Sequence, residues 1–292
     1  MGNFNGVLTA LVTPFANGAI DYESLENLLS EQMKAGVDGL VVLGTTGESP
    51  TVEAHERRPL WQFIKERVAG HLPLILGTGT NSTQTTIQLT REAEDWGADG
   101  ALVVTPYYNK PPQRGLYQHF ASVAKSVRLP ILLYNVPSRT ITSLDVETVA
   151  ALAKIPNICG IKEATGNIEV ARRLREQCGA DFLITSGDDG TFLELASVGG
   201  GGVISVLSNL APAEMKRMWL MVKDEGQEAG QVFARYAELN AYLYCEANPI
   251  PIKRALYEKG ILASPELRLP LVELEEGKVD KLRSLMKSVE LL

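Results

Sequence analysis

The run GLVVLGT at residues 39–45 decides the fold: four consecutive large apolar residues, Leu40-Val41-Val42-Leu43, closed by a glycine turn. Alternating apolar and polar residues mark a strand with one wet face. A short, continuous, valine-rich run marks instead a strand covered on both faces, as in a parallel sheet wrapped by helices. Runs of the same kind begin near Val7 (VLTALVT), Leu74 (LILGTG), Ala101 (ALVVTP), Ile131 (ILLYNV), Ile158 (ICGIKEA), Asp181 (DFLITSG) and Gly202 (GVISV). Together with the run at Gly39 they make eight strands, whose starts lie 32, 35, 27, 30, 27, 23 and 21 residues apart. Each spacing holds a strand, a crossover helix and two loops, so the repeating unit is βα and the strands are parallel. Eight units predict an α/β fold, a closed (β/α)8 TIM barrel. The rival, a doubly wound sheet, usually has fewer units, and no GxGxxG follows an early strand here.

Between the strands, the pieces starting at Tyr22, Thr83 and Leu116 place apolar residues at three- and four-residue steps, which predicts the outer helices. Asp21, Ser82 and Ser143 are the expected caps, and the glycines of KAG and DWG the expected stops. The eighth strand ends near Val206, leaving more chain than one closing helix needs. SNLAPAEMKRMWLMV reads as that helix, with Pro212 at its start. Three more helices are expected in EAGQVFARYAELNAYLY, PIPIKRALYEKG and GKVDKLRSLMKSVELL. The expected division is therefore a barrel over residues 1–224 and a C-terminal helical extension over 225–292.

With 45% hydrophobic and 22% charged residues, the 292-residue chain can bury a core without disulfides or a structural metal. Lys and Arg number 28 against 35 Asp and Glu, and the net charge of −7 disfavours a nucleic-acid binder. Three cysteines without CxxC spacing, and three histidines in separate segments, give no metal-ligand pattern, so no metal and no cofactor is implied. The N-terminal MGNFNGVLTALVTPF lacks a basic flank followed by a long apolar run, and nothing later suggests a membrane span. A cytoplasmic location is the expectation.

In such a barrel the chemistry sits at the C-terminal ends of the strands. Those ends carry Gly44-Thr45-Thr46-Gly47-Glu48, Thr105-Pro106-Tyr107-Tyr108, Tyr134 to Pro137 followed by Arg139, Lys162-Glu163, Ser186-Gly187-Asp188 and Ile204-Ser205. Lys162 weighs most. Confinement at a strand end disfavours the ammonium form of a lysine and exposes an amine able to attack a carbonyl as a Schiff base; the alternative is a lysine paired with Glu163 or a neighbouring carboxylate. Tyr134, on the neighbouring strand, either moves protons to and from that amine or merely packs. Thr45 and Thr46 either bind a carboxylate or relay a proton, or simply form a tight turn. Arg139 either grips a carboxylate through two hydrogen bonds or makes a surface ion pair. Of the adjacent Tyr107 and Tyr108, one faces its own pocket and the other packs or crosses a subunit boundary. GTGTNST at 77–83 lacks the ending of a phosphate-cradling loop, and the glycines of SVGGGGV precede a strand, where they permit tight packing.

GTTGES at 44–49, TPYYNKP at 105–111, YNVPSRT at 134–140, GIKEATG at 160–166, SGDD at 186–189 and NPIPIK at 248–253, in this order, closely resemble the dihydrodipicolinate synthase family. That family belongs to a wider group of (β/α)8 enzymes holding a 2-oxo acid as a lysine Schiff base, and the resemblance covers essentially the whole chain. It implies condensation of pyruvate with L-aspartate 4-semialdehyde in the diaminopimelate route to lysine, with Lys162 as the Schiff-base amine. It further implies a proton relay of Tyr134, Thr45 and Tyr108, the last inserted from a neighbouring subunit. Thr46 would hold the pyruvate carboxylate and Arg139 the semialdehyde carboxylate, while Gly187 and the Ile204 carbonyl line the pocket. The implied assembly is a homotetramer built from tight dimers.

Lysine-inhibited relatives use two histidines, a glutamate, a serine, an asparagine and a tyrosine as an allosteric pocket. Here Ser49, Asn81 and Tyr107 match, but the histidine positions hold Ala54 and Arg57 and the glutamate position holds Thr85. Weak or absent inhibition by lysine is expected. Two other readings remain at this level: a pyruvate-dependent aldolase acting on sugar acids, and a non-catalytic barrel that binds a metabolite or assembles with other proteins.

Overall fold

In the computed structural model, which describes residues 4–223 and 228–292, the eight apolar runs form one closed parallel barrel. The chain runs through β1 (Gly6–Ala10), β2 (Phe15–Ala16), β3 (Ala19–Ile20), α1 (Tyr22–Ala35), β4 (Gly39–Val42), α2 (Ala54–Val68), β5 (Leu74–Gly77), α3 (Thr83–Asp95) and β6 (Gly100–Val104). It continues through α4 (Gln113–Lys125), β7 (Ile131–Asn135), α5 (Pro137–Thr140), α6 (Val146–Leu152), β8 (Ile158–Glu163), α7 (Ile168–Cys178), β9 (Leu183–Ser186), α8 (Phe192–Ser197) and β10 (Gly202–Ser205). The helices α9 (Pro212–Lys223), α10 (Glu228–Tyr242), α11 (Ile250–Glu258) and α12 (Glu276–Ser288) follow. Around the barrel the order is β1, β10, β9, β8, β7, β6, β5, β4, and β2 pairs only with β3 in a small antiparallel ribbon.

The strands are covered on both faces as their composition demands: Leu40, Val41 and Val42, like Leu132, Leu133 and Ile161, are fully buried. The register between β7 and β8 slips once, so that Ile131 faces Ile158 and the next residue, Leu132, faces Gly160. Cys159 is the extra residue of this bulge, its thiol against the Ile131 carbonyl at 3.3 Å, and burial pushes that thiol up to about 12. Because side chains alternate between faces, a one-residue slip decides which residues share a side, and beyond it Tyr134 stands opposite Lys162.

The helix signals hold at most positions. Asp21 accepts from the Glu23 and Ser24 amides at 3.1 Å each, Ser82 accepts from Thr85, and Gly36 at φ 65° ends α1. All four expected C-terminal helices are present. Ser143 is a correction: α6 starts later, after Asp145, and the Ser143 hydroxyl instead donates to Asn135 Oδ1 at 3.4 Å, in the loop that brings the chain back to the barrel.

The described residues gather into two compact units, one of residues 4–8 with Pro73–Ile204 and one of Thr9–Leu72 with Ser205–Leu292. In the second, α9 packs on α1 and α10, while α12 packs on α10 and α11. The boundary expected near residue 224 lies outside the described residues. No helix among the described residues is long and apolar enough to cross a membrane.

Candidate active site

Within the unit that holds β6 to β9, Tyr134, Lys162 and Thr185 occupy one row across three adjacent strands. Lys162 is 5% exposed, and its Nζ lies 4.4 Å from the centroid of the Tyr134 ring, close enough for a cation–π contact. Gly187, just past β9, makes room for the lysine stem. A Cβ added there would lie 3.0 Å from Lys162 Cε and 2.6 Å from Ala164 Cβ.

Glu163 turns to the opposite side of β8, as the next residue of a strand must. Its carboxylate accepts from Asn135 Nδ2 at 3.0 Å and from the Thr165 amide at 2.6 Å, and burial pushes its carboxyl above the usual carboxylate range. These two partners take the place of the Lys162–Glu163 pairing that the local sequence left open. Asn135 in turn accepts from the Leu144 amide at 3.0 Å, tying the loop after α5 to the strands.

Arg139 lies exposed on α5, the short helix that Pro137 starts directly after β7. Ile204 is fully buried on β10. Tyr107 and Tyr108 diverge from the chain's own core at 39% and 88% exposure, and Tyr108 holds a left-handed φ of 74°. A bulky side chain in that region is strained, a feature that clusters at functional sites. Asn109 joins two of the expected allosteric residues, donating from its side chain to the Asn81 carbonyl at 2.8 Å and from its amide to the Tyr107 carbonyl at 2.9 Å.

In the other unit, Thr45 and Thr46 follow β4 in a turn closed by Gly47 N to Gly44 O and Glu48 N to Thr45 O, both at 3.1 Å. Thr45 is half-buried and Thr46 buried. Ser49 comes next, with the Arg57 guanidinium 3.4 Å from both its hydroxyl and its carbonyl. Sequence reasoning assigned no role to the residues that hold this turn. Asn248 Nδ2 donates to Thr46 Oγ1 at 2.9 Å. Lys253 Nζ meets Glu48 Oε1 at 2.7 Å in a pair with no solvent exposure, and the Arg268 amide donates to Glu48 Oε2 at 3.1 Å. Burial pushes Lys253 below the usual lysine range, and Glu48 pulls it back up. NPIPIK at 248–253 was the signal that pointed toward two of these residues.

The histidines stand apart: His55 is exposed beside Glu53, whereas His119 is buried against Thr83 and Phe120, with burial pushing its imidazole down to about 4. No cluster of three His, Cys, Asp or Glu that could hold a metal ion occurs among the described residues.

Residues 3–289 match the model of the dihydrodipicolinate synthetase family. The 4-hydroxy-tetrahydrodipicolinate synthase of Bdellovibrio bacteriovorus is 53% identical over the full length of both chains. A monomeric dihydrodipicolinate synthase variant is 45% identical and superposes with a TM-score of 0.97 over 99% of this chain and 98% of that one. The dihydrodipicolinate synthase of Acinetobacter baumannii, solved in complex with pyruvate, is 41% identical, with a TM-score of 0.96 over 99% of each chain.

Proposed function

The chain belongs to the dihydrodipicolinate synthetase family, and we propose that the amine of Lys162 is the nucleophile of its reaction. The enzyme is a lyase that condenses pyruvate with L-aspartate 4-semialdehyde, forming 4-hydroxy-tetrahydrodipicolinate on the diaminopimelate route to lysine. The observation that carries the assignment of Lys162 is its burial at the end of β8 with Nζ over the Tyr134 ring at 4.4 Å.

Lys162 Nζ attacks the ketone carbon of pyruvate, and the carbinolamine loses water to give the imine. The cationic imine draws electrons from the adjacent methyl group, which loses a proton and becomes the enamine carbon. That carbon bonds to the aldehyde carbon of the semialdehyde, whose oxygen takes up a proton. The semialdehyde's amino nitrogen then displaces Lys162 from the former ketone carbon, closing the ring and returning the free amine.

Each proton movement needs a group that can both give and take, and phenol and hydroxyl oxygens do so. Tyr134, Thr45 and Tyr108 are assigned that relay. Tyr108, strained and exposed within its own chain, is assigned to a neighbouring subunit's site, in a homotetramer of tight dimers. Thr46 holds the pyruvate carboxylate. Arg139, with its planar pair of donors, holds the carboxylate of the semialdehyde. Gly187 and the Ile204 carbonyl line the pocket, no cofactor is required, and the enzyme works in the cytoplasm.

A substrate comparison with purified protein tests this reading. Turnover of pyruvate with aspartate semialdehyde is expected. Cleavage of N-acetylneuraminate or a 2-keto-3-deoxy sugar acid, with no turnover of the semialdehyde, would assign the site to a different aldolase.

A further inference from the structure

We propose that Asn248 is a positioning residue that commits the Thr46 hydroxyl to donating its hydrogen to the substrate carboxylate. The inference rests on the assignment of Thr46 to the pyruvate carboxylate.

A threonine hydroxyl carries one hydrogen and two lone pairs and can present either to a ligand. A carboxylate accepts only. Asn248 Nδ2 donates to Thr46 Oγ1 at 2.9 Å, occupying a lone pair and leaving the hydrogen to point elsewhere. Both residues are buried, so water does not compete for that lone pair. The turn is held from the same direction. Glu48, with a left-handed φ of 52°, reaches Lys253 Nζ at 2.7 Å and the Arg268 amide at 3.1 Å, and its carbonyl accepts from the Thr51 amide at 2.9 Å. The Gly47 carbonyl accepts from Thr13 Oγ1 at 2.8 Å. Lys253 Nζ and the Arg268 guanidinium each lie 4.3 Å from the centroid of the Phe15 ring.

A buried ion pair is weak as a source of stability, because desolvation offsets most of the attraction, and its best-attested use is to fix one arrangement among several. Here it fixes the backbone that presents Thr46, and five residues before Lys253 the same segment supplies the amide that orients the hydroxyl. The C-terminal helical segment thus acts on the reaction through hydrogen-bond polarity at a single oxygen.

Five variants test this: Asn248→Ala, Asn248→Asp, Thr46→Val and each Asn248 change combined with Thr46→Val, with kcat and the KM of each substrate measured for all five. N248A removes the donor and is expected to raise the KM for pyruvate about tenfold, with little change in the KM for the semialdehyde. N248D has nearly the same shape but accepts instead of donating. It draws the Thr46 hydrogen away from the substrate and is expected to raise the pyruvate KM further than N248A. A purely structural role predicts the reverse order, because aspartate preserves the packing that alanine loses. In the Thr46→Val background, N248D and N248A are expected to have equal effects on the pyruvate KM. An unchanged pyruvate KM in T46V alone would overturn the assignment of Thr46, and this inference with it. A raised KM in T46V, together with N248D no worse than N248A, would overturn the inference and leave that assignment standing. Should N248D not fold, an unchanged pyruvate KM in N248A would overturn it alone.

Discussion

Lys162 reaches its place past Gly187, where even a methyl group would crowd its Cε. Its strand neighbour Glu163 is turned away and satisfied by Asn135 and Thr165. An amine is useful as a nucleophile only when no carboxylate holds its proton, so under the proposed role of Lys162 the hydrogen bonds of Glu163 serve the chemistry by keeping that carboxylate engaged elsewhere. The placement of Lys162 and Tyr134 on neighbouring strand ends was legible in the sequence, because a strand end in a parallel barrel is itself a positional signal. The fate of Glu163 was not legible, since it turns on Asn135, 28 residues earlier in the chain. Residue identity also bears on regulation. Arg57 lies against Ser49, placing a cation beside one of the matched allosteric positions, and Thr85 brings no carboxylate. An ammonium ligand there meets a guanidinium at one matched position and finds a neutral hydroxyl where the lysine-inhibited relatives supply a carboxylate. Steady-state titration with low-millimolar L-lysine is expected to leave turnover unchanged or weakly reduced, and strong inhibition would contradict this.

At the scale of elements, continuous apolar runs marked all eight barrel strands, while other elements escaped for identifiable reasons. The ribbon of β2 and β3 turns at Asn17-Gly18, both at positive φ, the pairing that two-residue hairpin turns favour, so its signal was present and unread. Helix α2 contains Pro59 and a mostly polar sequence, which masks the buried stripe of Leu60, Trp61, Ile64 and Val68. Helix α8 has six residues, too few to display a period. The contacts of Asn248, just before α11, and of Lys253, within it, with the turn after β4 join residues 202 and 205 apart in sequence, beyond the reach of any local pattern. Their energetics can be measured. Lys253→Met leaves the Glu48 carboxylate buried without its cation and is expected to destabilise the fold by about 3–5 kcal/mol. Adding Glu48→Gln, which removes the orphaned charge, is expected to recover most of that loss. Denaturant unfolding of both variants reads the difference. A single variant within about 1 kcal/mol of the parent would show that the pair does not hold the turn.

At the scale of the whole molecule, eight βα repeats close a barrel, and the bulge at Cys159 sets the parity that faces Lys162 toward Tyr134. The barrel was legible because its repeat is long and regular. Parity was not, because a one-residue slip leaves no mark in composition. The central claim is that this architecture presents one lysine as a covalent catalyst, and trapping tests it most directly. Borohydride reduction in the presence of pyruvate fixes any imine as a stable secondary amine, and peptide mass analysis then locates it. A single pyruvate-derived adduct on Lys162, absent when pyruvate or borohydride is omitted, is the expected result. Bound pyruvate without an adduct, or an adduct confined to another lysine, would contradict the account.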